Sequence, residues 1–293
     1  MLIIECSHGA HIAKEVARKL NAEYSKLVAD KFPDGESYIR FNKNVKSKHI
    51  VLVQSFYHEI NDCLVEVIFA AKTARDLGAK KISLLSPYFP YLRQDKRFKE
   101  GESISIQIVG KLIDMFFDEI YIINPHLHRE NKLSEIFKIK SHQLNLNKEI
   151  SKYILKNYSN PFLIGPDSES YRWVDEIRKL MGCRSLIFEK ERINPRKVII
   201  KNNPCIEDIK NKEVIIIDDI ISTGDTILET VKKIKRLEPK KIICICIHGI
   251  FSDNSFDKIK KSGADIISSN SIPNKASKIN VSNVLVESLS KSS

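Results

Sequence analysis

The stretch from Glu213 to Arg236, EVIIIDDIISTGDTILETVKKIKR, leaves the chain little choice of fold class. Val214, Ile215, Ile216 and Ile217 are apolar in a row, as a strand must be when a parallel sheet covers both its faces. Asp218 and Asp219 are expected to end that strand. Beyond Ser222, Thr223 and Gly224, the apolar residues Ile227, Leu228, Val231, Ile234 and Leu237 recur at helical spacing, so the segment reads strand, turn, helix. Small residues at a helix N-terminus present unpaired backbone N–H groups to an anion, and the hydroxyls of Ser222, Thr223 and Thr226 add donors. The two carboxylates can accept hydrogen bonds from vicinal sugar hydroxyls, leaving a phosphate to the turn. A sugar phosphate satisfies both parts.

The same unit recurs along the chain. Strand Leu2 to Glu5 leads to a helix entered at Ser7, with Ile12, Ala13, Val16, Ala17 and Leu20 on one face. Strand His49 to Ser55 precedes a helix capped by Asn61 or Asp62, carrying Leu64, Val65, Ile68 and Phe69 and ending near Gly78. Strand Lys81 to Ser86 is followed by a long loop and an amphipathic helix, then strand Ile120 to Ile123. From Pro161 the pattern restarts, with strand Phe162 to Gly165, a helix through Trp173, Val174, Ile177 and Leu180 closed by Gly182, and strand Ser185 to Phe188. Strands Lys241 to Ile247 and Asp265 to Ser268 follow the central segment. Two successive sets of alternating strands and helices predict two similar α/β domains with mainly parallel sheets. The boundary falls in the polar, lysine-rich stretch 130–160, giving domains 1–145 and 146–293.

Composition narrows the function. A length of 293 residues suits two ordinary domains, and with ten glycines and ten prolines the chain is too poor in either for long linkers. No apolar run reaches the roughly 18 residues of a membrane helix, and no basic region precedes the short apolar start, so a cytoplasmic protein is expected. The six cysteines include no C-x-x-C pair; Cys244 and Cys246 alternate in an apolar run and read as small buried side chains. A net charge of +11 suits nucleic-acid binders and enzymes of polyanionic substrates alike. Because the lysines are scattered and not interleaved with aromatics, a solvated surface with one local phosphate site is favoured over nucleic acid.

Several loops carry further chemistry. Lys31-Phe-Pro-Asp-Gly-Glu36 is a turn with an aromatic face and two acids, suited to stacking on and hydrogen-bonding a purine. The loop Pro87-Tyr-Phe-Pro-Tyr-Leu-Arg-Gln-Asp-Lys-Arg-Phe98 follows a parallel strand, which places Arg93, Lys96 and Arg97 at the sheet edge where α/β proteins bind ligands. Asn124-Pro-His-Leu-His128 holds two histidines that suit a metal or a phosphate, and Lys190 and Arg192 alternate just beyond a strand.

The central segment resembles the phosphoribosyl-pyrophosphate motif of type I phosphoribosyltransferases. Taken in order, FPDGE at 32–36, PYFPYLRQDKRF at 87–98, the histidine loop at 124–128, PD at 166–167, KER at 190–192, DDIISTGDT at 218–226 and HGIFS at 248–252 make nearly the whole chain resemble the ribose-phosphate pyrophosphokinase family. The resemblance implies two type I phosphoribosyltransferase-like domains, each a mainly parallel sheet flanked by helices. It implies Mg²⁺-dependent transfer of the diphosphoryl group of ATP to ribose 5-phosphate, in at least a dimer. On that basis Phe32, Asp34 and Glu36 hold adenine, and Arg93, Gln94 and Asp95 lie along ATP. His126 and Asp167 serve the metal. Asp218 and Asp219 take the ribose hydroxyls, Ser222, Thr223, Gly224, Asp225 and Thr226 take the 5-phosphate, and Lys190 and Arg192 are catalytic. The chain departs from the family pattern at Asn124, where Asp is usual, at Ser168, Glu169 and Ser170, and at Ser222, Gly224 and Asp225. A non-catalytic regulatory homologue and a phosphoribosyltransferase are the alternatives.

Overall fold

The computed structural model describes residues 1–127, 132–188, 191–194, 197–199 and 209–291, with 191–194 and 197–199 described by backbone alone. The chain divides into two compact units, Met1–Asn145 with Val281–Ser293, and Leu146–Asn280. The first holds β1 (Leu2–Glu5), α1 (Ala10–Lys19), β2 (Glu23–Lys31), β3 (Ser37–Phe41), β4 (His49–Val53), α2 (Ile60–Asp76), β5 (Lys81–Ser86), α3 (Ser105–Phe116), β6 (Glu119–Ile123) and β7 (Lys140–Leu144). The second holds α4 (Asn147–Asn157), β8 (Pro161–Gly165), α5 (Tyr171–Met181), β9 (Arg184–Ile187), β10 (Glu191–Asn194), β11 (Lys197–Ile199), β12 (Glu213–Ile221), α6 (Asp225–Lys235), β13 (Lys241–Gly249), α7 (Ser255–Lys261), β14 (Asp265–Ser269) and β15 (Ser277–Ile279). Last comes α8 (Ser282–Lys291), which packs on α1 and β7 of the first unit.

The first unit's sheet has the order β3-β2-β1-β4-β5-β6-β7, parallel except where β2 and β3 form a hairpin around the FPDGE turn. The second unit's sheet runs β15-β14-β13-β12-β8-β9, parallel throughout, and β10 and β11 pair apart from it. Its core joins Ile216, Cys244 and Cys246 of the sheet to Ile227, Val231 and Ile234 of α6. Both cysteines are free, buried thiols, as the alternation implied. Among the described residues no helix is long and apolar enough to cross a membrane.

Three local expectations are corrected by packing. α1 starts at Ala10, not Ser7; the Ser7 backbone N–H and hydroxyl both bond Glu66, the N–H at 2.9 Å. α2 buries Cys63, Glu66, Val67, Ala70, Ala71 and Ala74, while Val65 and Phe69 face outward. Glu66 sets this rotation, because its carboxylate also accepts from Gln54 Nε2 at 3.0 Å, and a buried charge keeps its donors. Finally, β12 does not stop at the acid pair but runs to Ile221, since β13 stays paired with it as far as Gly249.

Candidate functional site

In the second unit, β12 carries Asp218 and Asp219 to the carboxyl edge of the sheet between β8 and β13. Asp219 is 4% exposed, and its Oδ1 accepts the Ile220 N–H at 2.8 Å. Asp218 Oδ1 accepts the Asp219 N–H at 2.9 Å. Burial pushes the Asp218 carboxyl well above the usual carboxylate range, and the nearby negative charges of Asp219 and Asp167 push it further. The negative charges of Asp219 and Asp167 thus act on Asp218 from the same end of the sheet.

Asp167 arrives on the loop after β8, the strand next to β12. Its Oδ1 accepts the backbone N–H groups of Glu169 at 3.1 Å and Ser170 at 3.2 Å, forming a local turn ahead of α5. Ser170, one of the departures from the family pattern, also donates its hydroxyl to the Asp167 carbonyl at 2.6 Å.

The turn after β12 delivers its groups through Gly224, which precedes α6 with φ 79°. That left-handed conformation disfavours any side chain, and a Cβ there would lie 3.0 Å from Ser255 Cβ and 3.1 Å from Ile259 Cδ1. Gly224→Ala is expected to lower stability by about 1–3 kcal/mol through backbone strain alone. Thermal unfolding should show the drop, and an unchanged midpoint would mean that the turn relaxes freely. Thr223 Oγ1 donates to Asp225 Oδ2 at 2.9 Å, so the Asp225 carboxylate is turned onto a hydroxyl of the turn. An acid in the first turn suits the helix dipole but repels a phosphate.

Sequence reasoning missed the support for this turn. Ser252 Oγ lies 3.1 Å from Ser222 Oγ, and Ser255 Oγ donates to the Ser222 carbonyl at 2.7 Å. Both come from the segment after β13, where Phe251, Asp253 and Asn254 all have positive φ. The HGIFS motif was the available signal, since three left-handed non-glycine residues are held only by a structured surround.

In the first unit, adjacent strands β5 and β6 bring Arg93, Gln94, Asp95 and His126 to one edge. The loop after β5 is built on buried Tyr88, Phe89 and Leu92 and leaves Arg93 exposed. Glu102 fastens it by accepting the Phe98 N–H at 2.8 Å and the Lys99 N–H at 3.1 Å. Asn124 at the end of β6 has φ 38° and donates its N–H to the Leu144 carbonyl at 2.8 Å. Asn tolerates that conformation well, which gives a backbone reason for it here. His126 follows, half-buried.

Phe32, Asp34 and Glu36 stand elsewhere, on the β2–β3 hairpin, with Phe32 50% exposed and edge-to-face with Tyr38 at 5.8 Å. The expected metal residues are divided, His126 in the first unit and Asp167 in the second. Among the described residues no group of three or more His, Cys, Asp or Glu forms a ready cation cage. Mg²⁺ does not demand one, because it keeps several waters and binds through one or two carboxylates plus substrate phosphates. Lys190 and His128 lie outside the described residues, and Arg192 is described by its backbone on β10, paired with Val198.

Residues 1–116 match the family model for the N-terminal domain of ribose phosphate pyrophosphokinase, and residues 133–285 match that for the phosphoribosyl transferase domain. The chain is 32% identical to a ribose-phosphate pyrophosphokinase of Pyrococcus furiosus, over 96% of this chain and 97% of that one. It is 33% identical to one of Sulfurisphaera tokodaii, over 97% of each. The fold matches that of a phosphoribosylpyrophosphate synthetase from Mycobacterium smegmatis with a TM-score of 0.86, at 24% identity and covering 99% of this chain and 98% of that one.

Proposed function

The chain belongs to the ribose-phosphate pyrophosphokinase family, and we propose that it makes 5-phosphoribosyl 1-pyrophosphate by moving the diphosphoryl group of ATP to the C1 hydroxyl of ribose 5-phosphate, releasing AMP. The observation that supports this reading is the acid pair Asp218–Asp219 near the end of β12, followed at once by the turn that opens α6. Asp218 and Asp219 accept the ribose hydroxyls, and the Ser222–Thr226 turn holds the 5-phosphate at the N-terminus of α6. The C1 hydroxyl gives up its proton to solvent and its oxygen bonds the β-phosphorus as the bond from that phosphorus to the α,β-bridging oxygen breaks, and AMP leaves with that oxygen. Such a transfer asks the protein mainly for alignment and charge stabilisation. Arg93, Gln94 and Asp95 align ATP, while Lys190 and Arg192 neutralise charge on the migrating group. Asp167 and His126 are the residues that would hold Mg²⁺, which supplies Lewis-acid charge neutralisation when bound. The enzyme works in the cytoplasm as a domain pair, Met1–Asn145 with Val281–Ser293 on the ATP side and Leu146–Asn280 on the sugar side, so that α8 leaves the expected 146–293 domain for the first.

Phe32, Asp34 and Glu36 complete the adenine site of a neighbouring copy. In the first sheet, β5 lies three strands from β2 and four from β3. At roughly 4.8 Å per strand the strands themselves lie about 14–19 Å apart, while Tyr91 of the loop and Lys31 of the hairpin reach neighbouring residues of α2, Asn61 and Asp62. The reaction is tested by incubating the protein with ATP, Mg²⁺ and ribose 5-phosphate. Sugar-dependent AMP is expected, and no AMP under any metal would overturn the catalytic reading in favour of a regulatory homologue. Sharing of the site is tested by mixing Phe32→Ala with Asp219→Ala. Each alone is expected to be inactive and the mixture to regain up to a quarter of wild-type activity per site pair, by random pairing of subunits. Proven subunit exchange without recovery would end the shared-site idea.

A further inference from the structure

We propose that the amino edge of the second unit's sheet binds single-stranded nucleic acid, with phosphates on a row of lysines and a base in a cavity beside them. This goes beyond the reaction proposed above and stands independently of it.

The lysines are scattered in the sequence, and the fold gathers them. The main strands of this sheet are parallel, so β8, β9, β12, β13 and β14 begin at one edge, and α4, α5, α6 and α7, each leading into the next strand, end there. Lys232, Lys233, Lys235 and Arg236 close α6, and Lys258, Lys260 and Lys261 close α7. Lys240 and Lys241 lead into β13, Lys210 and Lys212 into β12. The ends of α6 and α7 lie side by side, because a Cβ on Gly263, just after α7, would stand 3.1 Å from Lys235 Nζ. Across residues 209–213, 232–241 and 258–265, eleven cations meet three acids. Each acid is already engaged: Glu238 by Lys210 at 2.8 Å, Asp265 by Lys241 at 2.8 Å and Lys260 at 2.7 Å, and Glu213 by the Ser159 N–H at 3.0 Å. The remaining cations of the row make no ion pair among the described residues. Helix dipoles favour cations in a last turn, but Lys212, Lys240 and Lys241 stand outside any helix, so the dipole does not account for the row. An unbalanced basic surface of this kind is a footprint for phosphates.

The cavity selects a single strand. It measures about 490 Å³ and is lined by Leu155, Tyr158, Asn160, Met181, Arg184 and Lys212 among others, at the starts of β8 and β9. Lys212 joins it to the row: its Nζ donates to Asn160 Oδ1 at 2.9 Å, and its carbonyl accepts the Lys240 N–H at 2.9 Å. Apolar and aromatic side chains suit the face of an unpaired base, and the cations beside them suit its phosphate. A duplex keeps its bases inside and a bilayer is flat, so neither fills the cavity. From β14 to β9 the edge spans four strand spacings, roughly 19 Å, enough for a few nucleotides.

Fluorescence anisotropy of a labelled 12-nucleotide single-stranded RNA with the full chain tests this, with and without excess ribose 5-phosphate. For the wild type, the logarithm of the association constant is expected to fall against that of salt concentration with a slope of about −3 to −5. Lys235→Ala, Lys240→Ala and Lys258→Ala combined should make the slope shallower by about 2 and weaken binding by roughly tenfold or more. The same change at Lys14, Lys80 and Lys111, exposed lysines of the first unit, should leave affinity within about twofold. An abasic strand of equal length should bind about 5- to 150-fold more weakly, the loss of one stacked base. No binding by the wild type, equal losses in the two triple variants, an abasic strand bound as tightly as RNA, or displacement of RNA by ribose 5-phosphate overturns the proposal. Tighter binding to phosphatidylserine vesicles than to RNA overturns it in favour of a membrane surface. If the second-unit triple variant fails to fold, Lys258→Glu replaces it, against Lys111→Glu, with the same expected loss and the same opposing outcome.

Discussion

Asp219→Asn is expected to raise the Michaelis constant for ribose 5-phosphate by about 10- to 150-fold while leaving that for ATP within a few-fold, because a charge-assisted hydrogen bond contributes roughly 1.5–3 kcal/mol. Asp219 is buried, so no water replaces the lost partner. The adjacent variant should behave differently. Asp218 has its carboxyl raised by burial and by two neighbouring acids, so its ionised form is disfavoured in the folded protein. A group whose folded value is raised binds protons more readily when folded. Its contribution to stability is full below the unfolded value of about 3.9 and is lost as pH rises toward the raised folded value. Asn cannot ionise and keeps an oxygen for the Asp219 N–H, so Asp218→Asn should raise the melting temperature at neutral pH more than at pH near 4. Equal rises in both Michaelis constants for Asp219→Asn would remove it from the sugar site, and a lower neutral-pH melting temperature for Asp218→Asn would contradict the crowding of acids.

Arg192→Ala is expected to lower kcat by about 10²- to 10³-fold with little change in either Michaelis constant, the loss typical of one donor aimed at charge that develops only in the transition state. Arg192 sits on β10, which among the described residues pairs with β11 and with no strand of the main sheet. A two-stranded ribbon has marginal stability by itself in water, so its conformation is readily biased by a ligand. Arg192→Lys should recover only part of the rate, since an ammonium lacks the planar fork that binds phosphate oxygens two at a time. Steady-state kinetics over both substrates decides the matter. A kcat near wild type in Arg192→Ala would remove the residue from the reaction.

Much of this protein was legible from its residues in order. Four consecutive apolar residues before Asp218 mark a strand covered on both faces, and Gly224 before a 3.6-residue periodicity marks a helix entrance, because backbone sterics and side-chain periodicity act locally. The same local rules place β1, β5 and α3. The order of the motifs was enough to indicate the family. What the sequence left open depended on partners distant in the chain. β2 buries only Ser25 and Leu27, too few for a strand signal, and exists because β1 and β3 flank it. α8 follows the second unit in sequence yet packs on α1, with Ser282 Oγ donating to Glu15 Oε2 at 2.9 Å. For α2 the expected apolar face was the bulkier stripe through Leu64, Val65, Ile68 and Phe69. The structure buried the smaller one, because Glu66 is held by Ser7 and Gln54 and small side chains let the helix approach the sheet. Periodicity shows that a helix has an apolar face. Where two faces qualify, only the tertiary structure decides, since a buried charge must keep its hydrogen-bond donors and only one rotation of the helix allows it.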